Sequence, residues 1–207
     1  GLLTIASIYF WLPNIPNTTT GNLKQQLAYF KKIKAWLIVA IISIGTGGLF
    51  SWITYISPMV TKVGGLPEGR VPIIMILVGF GMFIGNILGG KLADRIAPTK
   101  AAIACFITMA LTLLCVYFTA HITSMAYIMA FITGLVAFTI GSPLQMILIT
   151  SAKGSENVAA AAGQASFNVG NTFGAYLGGI PIMYGYAYSS PVLVGVGMAL
   201  IGALLAF

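Results

Sequence analysis

The chain has 207 residues, of which 58% are hydrophobic and 6% charged, and its net charge is +7. Soluble domains carry roughly 25% charged residues, so this composition, with a mean hydropathy of +0.99, excludes an ordinary water-soluble fold. The ten basic residues lie in short stretches between apolar runs and form no groove, which argues against nucleic acid as a partner and for membrane topology as their purpose. Cys105 and Cys115 fall in one apolar run, about 15 Å apart along a helix, too far to pair with each other and expected to act as packing residues.

In chain order, residues 1–12 are an apolar stretch with no basic start and no cleavage site. They resemble the end of a spanning helix rather than a signal peptide. The chain also stops inside its last apolar segment, so a fragment of a longer protein is expected. Residues 13–34 form a linker. Pro13, Pro16 and Thr18-Thr19-Thr20 keep its first part irregular. From Asn22 to Trp36, Leu23, Leu27 and Phe30 recur at helical spacing with lysines on other faces, which predicts a helix lying in the membrane interface on the cytoplasmic side, a solvated basic loop being the alternative. Residues 35–207 then carry six apolar segments, 35–60, 71–90, 101–120, 124–152, 158–183 and 191–207. About twenty apolar residues rising about 1.5 Å each cover the roughly 30 Å hydrocarbon core, so each segment is predicted to span the bilayer. The expected fold class is an all-α membrane protein.

The loops set the orientation. Lys24, Lys31, Lys32, Lys34, Lys91, Arg95, Lys100 and Lys153 fall on one side, and only Lys62 and Arg70 on the other, with the lone His121. This bias predicts that the first side is cytoplasmic. Six crossings then return the C-terminus to the cytoplasm.

Two features repeat. Gly81, Gly85 and Gly89 stand four apart in the second segment, as do Gly170, Gly174 and Gly178 in the fifth, the spacing that lets membrane helices approach closely. The first segment carries Gly45, Gly47 and Gly48 near its middle, and the fourth carries Gly141-Ser142-Pro143, where Pro143 removes a helix hydrogen bond. Paired interruptions at corresponding positions of two halves point to a transporter's binding path. The segments therefore divide into two inverted three-helix repeats.

No ionisable residue lies deep in any segment, so no internal proton relay or ion site is expected. The polar groups at depth are uncharged, and Trp52, Tyr55, Thr139, Gln145, Asn168 and Asn171 are the candidates for a substrate cavity. Trp52 and Tyr55 share a helix face, as do Asn168 and Asn171. Membrane-buried amides also bond between helices, so Asn168 and Asn171 serve either as ligands or as packing contacts.

The polar stretch Gly90-Lys91-Leu92-Ala93-Asp94-Arg95, with Lys100, sits between the second and third segments as an expected tight turn. It resembles the G-x-L-x-D-R-x-G-R-K loop of the major facilitator superfamily, with Ala97 in place of the second glycine and Pro98-Thr99 in place of basic residues. Thr54-Tyr55-Ile56-Ser57-Pro58, Gly85-Asn86-Ile87-Leu88-Gly89-Gly90 and Asn168-Val169-Gly170-Asn171 through Gly178-Gly179 are similar to the arabinose-efflux-permease and drug-efflux branch. The resemblance covers the whole chain as the C-terminal six-helix half of a twelve-helix fold. It implies that the first and fourth segments line a central cavity, and that the second and fifth contact an N-terminal half, giving their glycine stripes a partner there. The loop is then a conformational element, with Asp94 facing the start of the fifth segment and Arg95 pairing with Glu156. The implied function is export of a sugar or drug-like small molecule across the bacterial inner membrane by alternating access, coupled to protons. A structural or regulatory membrane subunit is the alternative. No enzyme, metal or cofactor is expected, because no convergent catalytic set can be drawn around His121.

Overall fold

In the computed structural model, residues 9–10, 27–152 and 154–207 are described; the expectations for 1–8 and 11–26, and for Lys153, lie outside these residues. Seven α-helices of 11 residues or more carry the described chain: α1 (Ile33–Ile53), α2 (Val71–Arg95), α3 (Pro98–Thr119), α4 (Thr123–Thr139), α5 (Gly141–Ser151), α6 (Glu156–Met183) and α7 (Ser190–Ala206), with a short helical arm, Ile56–Pro58 continued by Met59–Val63, after α1. Four helical stretches, Ile33–Ile53, Glu68–Arg95, Pro98–Thr119 and Thr123–Ser151, are long and apolar enough to cross a membrane. The 17-residue α7 is apolar but shorter. The 28-residue α6 is long enough but falls outside the apolar group, because Gln164, Asn168 and Asn171 interrupt a run of small residues.

Packing is reciprocal. Helix α1 lies on α6 and α7, while α4 lies on α2 and α3, and α3 closes against α7. Each element of one triplet thus meets its counterpart's partner in the other, as two interlocked three-helix units would. One buried cluster, built around Trp52, Ile74, Leu113 and Val192, joins α1, α2, α3 and α7. A second, around Ile42, Phe106, Leu144 and Leu148, joins α1, α3 and α5.

The glycine stripes find their partners inside the chain. A Cβ at Gly81 would overlap the Phe131 carbonyl oxygen, one at Gly85 that of Leu135, and one at Gly89 that of Thr139. Gly134 returns the contact against the Val78 carbonyl. On the other side, Gly170 and Gly174 lie against the α1 backbone at Ser43 and Gly47, and Gly178 against Ser51. The stripes are therefore occupied by α4 and α1, and do not present open faces to a partner outside the chain. Helix α2 shows the consequence: Gly81, Gly85 and Gly89 are buried while Ile76, Phe80 and Phe83 are exposed. Lipid is as apolar as these side chains, so close backbone approach governs the pairing and large groups can face outward.

Three expectations are corrected. Gly45, Gly47 and Gly48 do not interrupt the first segment; α1 runs straight through them, since Phe106, Met198 and Gly195 pack where their side chains would be. The break comes later, at Thr54–Tyr55. In the fourth segment the break falls at Ile140, between α4 and α5. Both breaks sit at the head of a Thr-x-x-Ser-Pro sequence, Thr54 to Pro58 and Thr139 to Pro143. In each, the proline lacks the N–H that would bond the threonine carbonyl four residues earlier. In each, the threonine hydroxyl also donates to a carbonyl one turn back, Thr54 Oγ1 to Phe50 O at 2.7 Å and Thr139 Oγ1 to Leu135 O at 2.8 Å, a bond that bends helices. Second, the polar stretch after Gly90 is helical to Arg95, and α3 starts at Pro98, so the turn is only Ile96–Ala97. Third, the basic helix expected up to Trp36 is broken: a 3-10 turn spans Ala28–Lys31, Lys32 is extended (ψ 128°), and α1 begins at Ile33.

Candidate functional site

A cleft of about 620 Å³ opens at the end of the bundle that carries the Ile96–Ala97 turn. Helix α1 supplies Thr46, Leu49 and Phe50; α2 supplies Asn86, Gly90 and Asp94; α3 supplies Phe106 and Met109; α5 supplies Ser142, Gln145, Met146 and Ile149; and α6 supplies Gln164, Phe167 and Asn168. Aromatic and aliphatic surface dominates, with four carboxamides, two hydroxyls and one carboxylate set into it. Such a lining, mostly apolar with a few polar groups, is the usual chemistry of a small-molecule site, and the volume lies within the usual range of about 300–1,000 Å³. Thr46 spends its hydroxyl proton on the Ile42 carbonyl at 2.6 Å, so toward a ligand it can only accept. The amides of Asn86, Gln145, Gln164 and Asn168 can donate and accept.

The break at Ile140 builds one wall. The ring of Pro143 is buried, and Leu144 and Leu148 are fully buried against the second cluster. These residues fix the rotation of α5, which turns Gln145 and Met146 to the cleft. Its far end is tied down as well, because Ser151 and Tyr29 share a hydrogen bond of 3.0 Å.

Of the six cavity candidates, two line this cleft: Gln145 and Asn168. Trp52 is fully buried in the first cluster, and its indole N–H has no hydrogen-bond partner among the described residues. Tyr55 is pinned to α6, donating to the Ala175 carbonyl at 2.9 Å with its oxygen over Gly179. Thr139 belongs to the α4 break and the Gly89 contact. Asn171 is exposed on α6 outside the cleft. Asn86 and Gln164 complete the amide set. Asn86 lies beside Gly85, and its signal in the sequence was a lone amide within an otherwise apolar segment.

The loop residues separate. Gly90 and Asp94 lie on the cleft, on the last turns of α2, while Arg95 and Lys100 are exposed on either side of the turn. Glu156 does not pair with Arg95. Its Oε1 accepts the Gly154 N–H at 2.9 Å, and this bond, with one to its own backbone N–H, holds the carboxyl below the usual glutamate range. Gly154 can offer that N–H because it sits at φ +80°, a conformation favoured by glycine. The acid serves the start of α6, where negative charge is favoured by the helix dipole. Among the described residues, no group of three or more His, Cys, Asp or Glu residues could hold a metal ion.

A reciprocal all-helical bundle with apolar spanning helices, glycine-lined crossings and an amphipathic cleft has the architecture of an integral membrane protein. The family model of the Major Facilitator Superfamily matches residues 1–167, and the chain belongs to that superfamily. AraJ of Escherichia coli strain K12 is 36% identical over 206 residues, covering all of this chain and 50% of AraJ. YdhP, an inner membrane transport protein of the same strain, is 29% identical over 208 residues, covering all of this chain and 53% of YdhP. YtbD of Bacillus subtilis strain 168, an uncharacterized MFS-type transporter, is 32% identical over 166 residues, which is 78% of this chain and 42% of YtbD. The chain thus spans about half the length of the curated relatives it matches.

Proposed function

We propose that the chain is the C-terminal six-helix half of a secondary transporter that exports a small, uncharged amphipathic molecule, sugar or drug-like, across the bacterial inner membrane. The cleft carries this reading. Four carboxamides suit hydroxyl and carbonyl groups of a neutral solute, and Phe50, Phe106, Phe138 and Phe167 supply the apolar surface. The names of the relatives, which include an inner membrane transport protein, support transport as the activity. On this reading transport proceeds by alternating access, the second half of the cavity being contributed by an N-terminal half. The C-terminus then lies in the cytoplasm, and proton coupling draws on an acid outside this chain, in the N-terminal half.

The test is efflux of labelled sugars and neutral drugs from vesicles containing the intact protein, with and without a pH gradient. Gln145→Leu and Asn168→Leu each remove one hydrogen bond to the bound solute, about 0.5–1.5 kcal/mol, so the apparent KM should rise roughly twofold to tenfold with the protein still correctly inserted. Asp94→Asn should slow transport without altering insertion. Unchanged kinetics in all three would overturn the assignment of the cleft. A protein that moves no solute under any gradient would instead support a structural or regulatory subunit.

A further inference from the structure

The corner where the chain enters α1 has chemistry that the cleft does not use. Tyr29 anchors it. Its ring is buried with Ala35, Ala152 and Ala159, and its hydroxyl meets Ser151 at 3.0 Å. Outside this anchor, Lys31, Lys32 and Lys34 are all exposed. Ile33 is 87% exposed and Trp36 57%, with Leu37 beside them. Trp36 is held in place, donating its indole N–H to the Phe30 carbonyl at 2.9 Å, with the two rings 5.8 Å apart.

Three cations therefore sit directly beside an apolar and aromatic face at the mouth of a membrane-spanning helix. Among the described residues no hydrogen bond or ion pair engages them. The chain's three acids are Glu68, Asp94 and Glu156; Glu68 precedes α2, Asp94 lines the cleft, and Glu156 is engaged by Gly154. The first turn of α1 holds no acid and no side-chain cap, and the helix dipole adds a further positive end. An exposed Trp fixed at the level where lysines begin is the arrangement expected at the headgroup region, where aromatic rings and cations meet lipid phosphates.

We propose that the corner from Phe30 to Leu37 is a binding site for an anionic phospholipid. Its phosphate lies among Lys31, Lys32 and Lys34, and its acyl chains lie along Ile33, Trp36 and Leu37. Because Tyr29 ties this corner to the end of α5, the lipid is seated on the same substructure that forms one wall of the cleft.

The test uses the intact protein in phosphatidylcholine bilayers doped with brominated phosphatidylglycerol. The Trp36 signal is the difference between the unsubstituted protein and Trp36→Phe. Brominated phosphatidylglycerol should half-quench it at a mole fraction at least fivefold lower than brominated phosphatidylcholine, given roughly a fivefold gain for each engaged lysine. The triple variant Lys31→Gln, Lys32→Gln, Lys34→Gln should lose that preference, and the matching triple arginine variant should keep it. Equal quenching by the two lipids, or a preference that survives the glutamine variant, would overturn the site. So would an equal loss in Lys91→Gln with Lys100→Gln, which would mark diffuse attraction to the whole basic face. Competition by millimolar glycerol phosphate would assign the lysines to a soluble anion and overturn the lipid.

Discussion

Gly85 offers the sharpest test of how the bundle is held together. A methyl group placed there would overlap the Leu135 carbonyl oxygen and lie 2.9 Å from its carbon and 3.0 Å from Leu135 Cα. All three are backbone atoms of α4, so no side chain can rotate away, and α2 must move off α4 by several tenths of an ångström or more. Overpacking of this kind costs about 1–3 kcal/mol, and the rigid neighbour places Gly85→Ala at the upper end. Alanine's better helix propensity returns about 1 kcal/mol, leaving a net loss of about 1–2 kcal/mol. Gly90 is the internal control: it lies on the same helix with nothing within 4 Å of the added carbon, so Gly90→Ala should be neutral or stabilising by up to about 1 kcal/mol. At roughly 2–4 °C for each kcal/mol, thermal unfolding of the detergent-solubilised protein should place Gly85→Ala several degrees below Gly90→Ala. Equal midpoints, or the reverse order, would refute close backbone contact as the basis of α2–α4 pairing.

The α1–α6 crossing should show the same physics with a second control. Gly174→Ala meets the Gly47 carbonyl and should destabilise, whereas Gly47→Ala meets chiefly the terminal methyl of Met198, a flexible side chain, and should lower the unfolding midpoint less. Ser51→Ala removes the hydroxyl that donates to the Pro191 carbonyl at 2.8 Å across α1 and α7. Loss of one buried bond should cost about 1 kcal/mol, read in the same assay, and an unchanged midpoint would mean that the α1–α7 contact does not depend on it. Glu156 predicts a pH effect. Its folded-state pKa is depressed, so its stabilising effect is full above the ordinary glutamate range of about 4.3 and is lost as pH falls through the lower folded value. Resolved by NMR with a labelled carboxyl, Glu156 should titrate below a glutamate in an unfolded peptide, and an equal or higher value would refute the bond to Gly154.

Hydropathy locates the helices because crossing the hydrocarbon core takes about twenty apolar residues. It places their ends less well. The segment 71–90 stops where apolarity stops, yet α2 continues to Arg95, since charged residues beyond the bilayer lose no helix hydrogen bonds. Glycine was ambiguous in a similar way. Gly141 stands at a break and Gly47 in an unbroken helix, and only the neighbours filling the space distinguish them. The cleft was half legible. Spacing places Trp52 and Tyr55 on one face of a segment, but not which neighbour that face meets; here it meets a packed cluster and α6. Gln145 and Asn168 come together because α5 is rotated by the anchoring of Leu144 and Leu148, a three-dimensional fact that no local pattern contains.

The paired Thr-x-x-Ser-Pro breaks make short levers of the chain beyond them. Helix α5 has 11 residues, an arm of about 16 Å at 1.5 Å per residue, and a rotation of about 15° at Ile140 would carry its tip roughly 4 Å. Gln145, Met146 and Ile149 ride on that arm, so the position of one wall of the cleft depends on that backbone angle. The counterpart arm beyond Tyr55, Ile56 to Val63, is about 12 Å long and sweeps about 3 Å for the same rotation. Both arms are the C-terminal ends of their segments. Each arm is held by its own anchors, α5 by Leu144, Leu148 and the Tyr29–Ser151 bond and its counterpart by buried Ile56, Met59 and Val60, so a turn at either break must release those contacts but need not open the glycine-lined crossings of α1 with α6 and of α2 with α4.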